Sequence, residues 1–295
     1  MKVTKKISII GTSRITSHHV VAARKAGFKV YSISATRKKS EYIQYIAKKH
    51  NIDRYYFSWK ECIKNSIENN KKISFVVTGP TVKNKPILDY LLKYNSKILI
   101  EKPVFNNHRK FRQLNQNKKN IFVGFNRIFY ENIHIIKKRL QSKNNLNVVC
   151  AIPEINKKYI SINSCHIFSI LFFLFGDLRL VKRNKNKNFI NVVLNSKNSE
   201  VSIFFNYNAA ENFCIKIYDK ETIYELKPIE TLNIYKGMEA INIQNQNYYQ
   251  PIKIFTKSIK SEKAKPGFLG QYLAFSKFVD GGKILNNIKF AEKIK

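Results

Sequence analysis

Apolar and polar positions along the first 125 residues fall into two alternating patterns. Short apolar runs of strand length are separated by longer segments whose apolar residues recur at helical spacing. The runs are KISII (Lys6–Ile10), KVYSISA (Lys29–Ala35), SFVVTG (Ser74–Gly79), KILIE (Lys97–Glu101) and IFVGF (Ile121–Phe125), with a weaker one at RYYF (Arg54–Phe57). Between them the spacing predicts helices over HHVVAARKAG (His18–Gly27), from about Ser40 to His50, over Trp59–Asn69, over KPILDYLLKY (Lys85–Tyr94) and around His108–Asn117. Gly27 stands where a helix C-cap is expected. Strands alternating with helices of this length predict βαβ units and a parallel sheet.

After Phe125 the rhythm changes. A helix over Asn132–Ser142 and a strongly apolar helix over Cys165–Phe175 precede consecutive strand patterns at FINVVLN, EVSIFFNY, FCIKIYD and TIYELKP. Consecutive strands without intervening helices predict an antiparallel sheet. A final helix is expected in FLGQYLAFSKFVDGG (Phe268–Gly282), with loops at Asn184–Asn188 and Lys257–Lys265. The fold class read from this is α/β: an N-terminal doubly wound parallel sheet of Rossmann type over 1–122, then an α+β domain with a mainly antiparallel sheet over 123–295.

The 295 residues suffice for such a pair of cores, and 44% hydrophobic content with 21 Phe argues against disorder. Cys62, Cys150, Cys165 and Cys214 form no C-x-x-C pair, so neither a zinc knuckle nor a disulfide framework is expected. The N-terminal apolar run ends at Ile10, too short for a signal-peptide core. IFSILFFLFG (Ile167–Gly176) is about half the length of a membrane span. A cytoplasmic protein without membrane partners is expected. Charge changes this picture little. There are 54 Lys+Arg against 19 Asp+Glu, a formal +35, which suits a polyanionic or phosphorylated partner. The cations are spread along a chain rich in Lys, Asn and Ile, with no recognisable nucleic-acid module. A general compositional bias is the simpler reading, and no specific nucleic-acid partner is expected.

Candidate chemistry sits at the strand ends. A dinucleotide-binding turn follows the first strand of such a sheet and reads G-x-G-x-x-G. Here GTSRIT supplies Gly11, with Ser13 and Thr16 in the other two places and Arg14 and Ile15 between them. Small residues still let a phosphate approach the helix N-terminus. The second strand ends in Thr36, Arg37 and Lys38, where an NAD site carries a carboxylate for the ribose 2′-hydroxyl. Hydroxyl and cations there suit a 2′-phosphate, although the basic excess alone also accounts for them. In SKILIEKPVF the strand ends abruptly in Glu101, Lys102 and Pro103, on the edge where ligands of open parallel sheets bind. His166 opens the apolar helix, one residue before its Ile167, Ile170, Leu171, Leu174 face. His18 and His19, adjacent on a helix, point to different faces and make no metal site.

Taken in order, TGPTVKN (with Gly79, Pro80 and Asn84), EKPVF, VGFNRIF (with Arg127), SCHIFSILFFLFGD, LKPIETLNIYKGM and KPGFLGQYLAFSKFVDGG resemble the Gfo/Idh/MocA family of NAD(P)-dependent oxidoreductases. The resemblance covers most of the chain. It implies hydride transfer to or from a secondary alcohol or ketone carbon of a sugar or nucleotide sugar, with NADP or NAD as cofactor and NADP slightly favoured. Lys102 and His166 would be catalytic. The cofactor would be held by Gly11, Ser13, Arg14, Ile15, Thr36, Arg37, Lys38, Gly79, Pro80, Asn84, Glu101, Lys102 and Arg127. It further implies a small sugar-like substrate, for which a phosphate would suit the basic surface, a homo-oligomer, no metal, and a cis bond before Pro103. Ile162 and Ser169 stand where many relatives carry Asp beside the histidine. A non-catalytic relative that binds cofactor or sugar in regulation or assembly is therefore the alternative.

Overall fold

A computed structural model describes residues 4–37, 41–70, 72–105, 116–160, 162–260, 264–282 and 288–293. The chain divides into two units, Met1–Phe129 with Ser261–Lys295, and Tyr130–Lys260.

In the first unit six strands lie in the order β3-β2-β1-β4-β5-β6. They are β1 (Lys6–Ile10), β2 (Lys29–Ser34), β3 (Tyr55–Tyr56), β4 (Ile73–Val77), β5 (Ile98–Glu101) and β6 (Ile121–Gly124), and every neighbouring pair is parallel. The order reverses between β1 and β4, the switch point at which doubly wound sheets bind ligands. Four helices cross between strands: α1 (Thr16–Lys25), α2 (Tyr42–Lys49), α3 (Trp59–Glu68) and α4 (Thr81–Leu92). α1 ends in a Schellman arrangement at Gly27, whose φ is +86°. Gly27 N donates to Arg24 O (3.0 Å) and Phe28 N to Ala23 O (2.9 Å), so the last carbonyls are satisfied and Phe28 turns into the core. β1 and β2 are buried, yet they carry Ser8 and Ser32. Their hydroxyls bond each other at 2.7 Å, and Ser8 also bonds Ser66 of α3 at 2.8 Å, which answers the polar groups internally. The helix expected around His108–Asn117 lies largely outside the described residues; 116–120 form a 3₁₀ turn.

In the second unit eight strands run in the order β14-β13-β12-β11-β7-β10-β9-β8. Every described pairing is antiparallel except β7 with β10. Two helices are α5 (Glu131–Arg139) and the short α6 (Lys157–Ile160). The apolar α7 (Cys165–Phe175) lays Phe168 against Phe205 of β10, ring centroids 6.0 Å apart. Four strands were not expected from the pattern. β7 (Leu146–Glu154) does alternate, but Pro153 disguises it. β8 (Arg179–Lys185) is exposed at every position and has no apolar face to read. β13 (Thr231–Ile243) and β14 (Gln246–Ser258) pair far beyond the sheet, where both strands are solvent-facing. The expected loops at Asn184–Asn188 and Lys257–Lys265 accordingly begin inside strands. The others are β9 (Phe189–Asn195), β10 (Ser199–Tyr207), β11 (Cys214–Asp219) and β12 (Thr222–Leu226).

The division at residue 122 also needs correction. The first unit runs to Phe129, and the last helices, α8 (Phe268–Val279) and α9 (Ile288–Lys293), belong to it. The reason is aromatic packing. Phe275 of α8 stacks on Phe28 (5.8 Å, 24°) and meets Phe122 of β6 at 5.8 Å. Lys5 Nζ, just before β1, adds a 2.5 Å ion pair to Asp280. A linear reading cannot see a chain return across such a distance. Among the described residues no helix is long and apolar enough to cross a membrane.

Phe275→Ala should therefore destabilise the first unit by about 3–5 kcal/mol, the usual cost of emptying a fully buried aromatic site. The single tryptophan, Trp59, lies in that unit and reports it by fluorescence in a urea titration. An unchanged midpoint would contradict the assignment of α8 to this core.

Candidate active site

The carboxyl ends of β1, β2 and β4 converge at the switch point. Gly11 follows β1 with φ +123°, and its N–H donates to Ser34 O at 2.7 Å. A methyl group there would lie 2.5 Å from Gly79 N and 2.7 Å from Thr78 Oγ1. Thr16 Oγ1 and Thr78 Oγ1 each donate to Gly11 O at 3.1 Å, and Ser13 N donates to Thr16 Oγ1 at 3.0 Å. Thr16, in the place of the third glycine, thus ties the turn together instead of merely leaving room. Gly79 needs its lack of a side chain as well, because a Cβ there would meet Thr36 Cγ2 at 2.8 Å.

The first turn of α1 carries no acidic residue and no side chain caps it, which leaves the positive end of its dipole to an anion. Arg14 and Arg37 are exposed, Ile15 is the N-cap residue and half-buried, and Lys38 lies outside the described residues. Gly11, Ser13, Thr36 and Gly79 are therefore brought together. A close-approach glycine, an open helix end and hydroxyl-bearing neighbours suit a dinucleotide pyrophosphate.

The end of β5 is built by its neighbours. Glu101 pairs in register with Gly124 of β6, and a Cβ on Gly124 would come within 2.6 Å of Glu101 Oε1. The next peptide, Lys102–Pro103, is cis. Asn84, buried in α4, donates from Nδ2 to Val104 O at 2.9 Å, two residues beyond Lys102. Its Oδ1 is buried with no hydrogen-bond partner among the described residues. Asn84 thus fixes the backbone after Lys102, a structural task that the sequence did not suggest. Pro80 caps α4 with extended backbone and is exposed. Arg127 is half-buried in the 3₁₀ turn Asn126–Phe129.

Glu101 faces an unexpected partner. His19 of α1 is fully buried, with Nε2 3.2 Å from Glu101 Oε1. In this geometry the pair lies off the hydrogen-bond line. His19 Nδ1 is 2.9 Å from the Tyr272 hydroxyl of α8. Burial, and then the Glu101 charge, push the Tyr272 phenol well above its ordinary value. The sequence alone gives His19 no role, beyond its facing away from His18. Its signal was a polar residue on the buried face of a helix.

In the second unit His166 stands in the first turn of α7 and is buried at 8% exposure. Its backbone oxygen accepts from Ser169 Oγ at 2.7 Å. Ser169 thus serves the helix backbone. Glu154, buried at the end of β7, accepts from Asn163 Nδ2 at 3.2 Å and closely from Ser164 Oγ. That clamp fixes the segment entering α7 two residues before His166. Sequence reading missed Glu154 because its strand was missed. Among the described residues no three His, Cys, Asp or Glu side chains gather as metal ligands would.

Gly11 and Gly124 should respond differently to alanine. Gly11→Ala meets fixed backbone at a positive φ, and should cost at least about 1–3 kcal/mol. Gly124→Ala meets the movable end of Glu101 and should cost less, displacing the carboxylate instead. Urea titrations of both variants, followed at Trp59, compare them; equal losses would contradict the close approach of the two turns at Gly11.

No protein-family model and no curated protein matches the sequence. Solved structures do match over almost the entire chain. An oxidoreductase from Agrobacterium radiobacter, in complex with NAD+, L-tartaric acid and magnesium, is 12% identical with a TM-score of 0.74, covering 99% of this chain and 94% of that one. Levoglucosan dehydrogenase in complex with NADH and L-sorbose is 11% identical with a TM-score of 0.77, covering 98% and 93%. A probable dehydrogenase from Thermotoga maritima is 16% identical with a TM-score of 0.71, again covering 98% and 93%. From end to end, the chain carries the fold of these oxidoreductases and dehydrogenases.

Proposed function

We propose that the protein is an NAD(P)-dependent oxidoreductase of the Gfo/Idh/MocA family, acting at a secondary alcohol or ketone carbon of a sugar or nucleotide sugar. The observation that carries this reading is the end of β5, where Glu101, Lys102 and a cis Pro103 leave the sheet next to β4, one of the two strands that form the switch point. The fold shared with dehydrogenases that bind NADH and a sugar supports it. The bound nicotinamide supplies or accepts the hydride.

The chain's own residues do the rest. Gly11, Ser13, Arg14 and Ile15 receive the pyrophosphate at the start of α1, with Gly79 and Pro80 bounding the neighbouring turn. Lys102 carries a positive charge to the substrate oxygen, stabilising the alkoxide character that develops there. His166 takes or returns the hydroxyl proton as general base. Glu101, Asn84 and Arg127 orient the cofactor end of the site. Thr36, Arg37 and Lys38 favour NADP over NAD, since the sequence places a hydroxyl and two cations, and no acidic residue before Glu41, after β2.

A second reading has its own support. Ile162 and Ser169 replace the carboxylates that accompany the histidine in relatives, which suits a member that binds cofactor without turnover. Lys102→Ala and His166→Ala distinguish the two. In an enzyme each should lower kcat/KM by about 10²–10⁴-fold, with cofactor affinity little changed in His166→Ala. A non-catalytic relative would turn over no sugar or nucleotide sugar in a broad panel, while cofactor still raised its melting temperature.

Cofactor choice is tested separately by calorimetry. Arg37→Ala should weaken NADP by about tenfold, as loss of one charge-assisted contact does, and leave NAD nearly unchanged. A parent protein that clearly prefers NAD would overturn the 2′-phosphate assignment.

A further inference from the structure

Three side chains from distant parts of the first unit meet beneath the proposed site. Glu101 ends β5, His19 lies on the buried face of α1, and Tyr272 comes from the C-terminal α8. His19 and Tyr272 are both 0% exposed, whereas the Glu101 side chain keeps 13% of its surface open. The imidazole has aromatic neighbours, with Phe268 edge-on at 4.8 Å and Tyr272 at 5.8 Å between ring centroids. In such surroundings a polar ring is costly unless both nitrogens are answered.

The chemistry orders the chain of contacts. Tyr272 is held in its neutral form by burial and by the Glu101 charge, so its hydroxyl remains able to donate. Donation to His19 Nδ1 across 2.9 Å leaves the imidazole proton on Nε2. That proton then faces Glu101 Oε1 at 3.2 Å. Neither His19 Nε2 nor Glu101 Oε1 has a hydrogen-bond partner among the described residues, so a small rotation of the carboxylate completes both. Gly124 leaves the carboxylate its place, since any Cβ there would displace Oε1.

We propose that His19 and Tyr272 are positioning residues: Tyr272 sets the tautomer of His19, and His19 holds one oxygen of Glu101 so that the other meets a donor of the bound nicotinamide cofactor. This rests on the dinucleotide reading above for the ligand, but not for the relay itself. It also gives α8 a purpose beyond packing, because this helix then reaches the site through a single imidazole.

Two measurements test it. Nitrogen-15 spectra of the six histidines, with His19 assigned by its loss in His19→Gln, should find a neutral ring protonated at Nε2. A ring protonated at Nδ1 would overturn the relay. Fluorescence titration with NADH and NADPH should find Tyr272→Phe weakened about tenfold, the worth of one hydrogen bond to a charged network. His19→Gln, which keeps a donor for Glu101, should bind better than His19→Leu. In a Glu101→Gln background Tyr272→Phe should cost nothing further, because coupled residues are not additive. Equal losses in both backgrounds would mean that Tyr272 merely supports the fold, and would overturn the proposal. A parent protein that binds neither cofactor would overturn the proposed function instead, and the tautomer alone would then decide the relay.

Discussion

The turn after β4 approaches the turn after β1 so closely at the switch point that Gly11 can carry no side chain. Gly11 presses on Thr78 and Gly79, and Gly79 presses on Thr36. Much of the first unit follows from that contact. The turn after β1 is shut down onto the turn after β4, two threonine hydroxyls are drawn onto Gly11 O, and α1 begins over the carboxyl edge of the sheet. Once α1 is fixed there, His19 is carried beneath the end of β5, where Glu101 awaits it.

The second constraint is the space above Gly124. With no Cβ on that residue, a carboxylate can lie flat against the neighbouring strand. Asn84 fixes the main chain just beyond, through Val104 O. Lys102 is therefore flanked on both sides by groups whose positions are set elsewhere. A strand end that looks like solvated charge in isolation is, in the fold, held from β6, α1 and α4. Such preorganisation is what electrostatic stabilisation of a developing charge requires.

How much of this was legible in the sequence depended on whether the signal was local. The parallel sheet was read from alternating patterns because β1, β4 and β5 are buried on both faces and read as continuous apolar runs. β8 and the outer halves of β13 and β14 escaped, since strands in full contact with water carry no periodic pattern. β7 escaped for a different reason, a proline in an otherwise alternating strand. The strand-end residues Gly11, Thr36 and Glu101–Pro103 could be picked out because turn chemistry and charge break the pattern there. His19, Tyr272 and Glu154 could not, because each is defined by a partner remote in sequence. Tyr272 is 253 residues from His19, and nothing short of the folded chain joins them. The return of α8 to the first unit was hidden for the same reason.

The central claim is that this switch point holds a nicotinamide dinucleotide. The most direct measurement is the absorbance and mass spectrum of whatever small molecule leaves the purified protein when it is denatured, together with rebinding of that molecule to the refolded, ligand-free protein. The account predicts NADP(H) or NAD(H), released by denaturation and rebound at one site per chain. Release of no dinucleotide, and no binding of either cofactor when it is added back in excess, would contradict it.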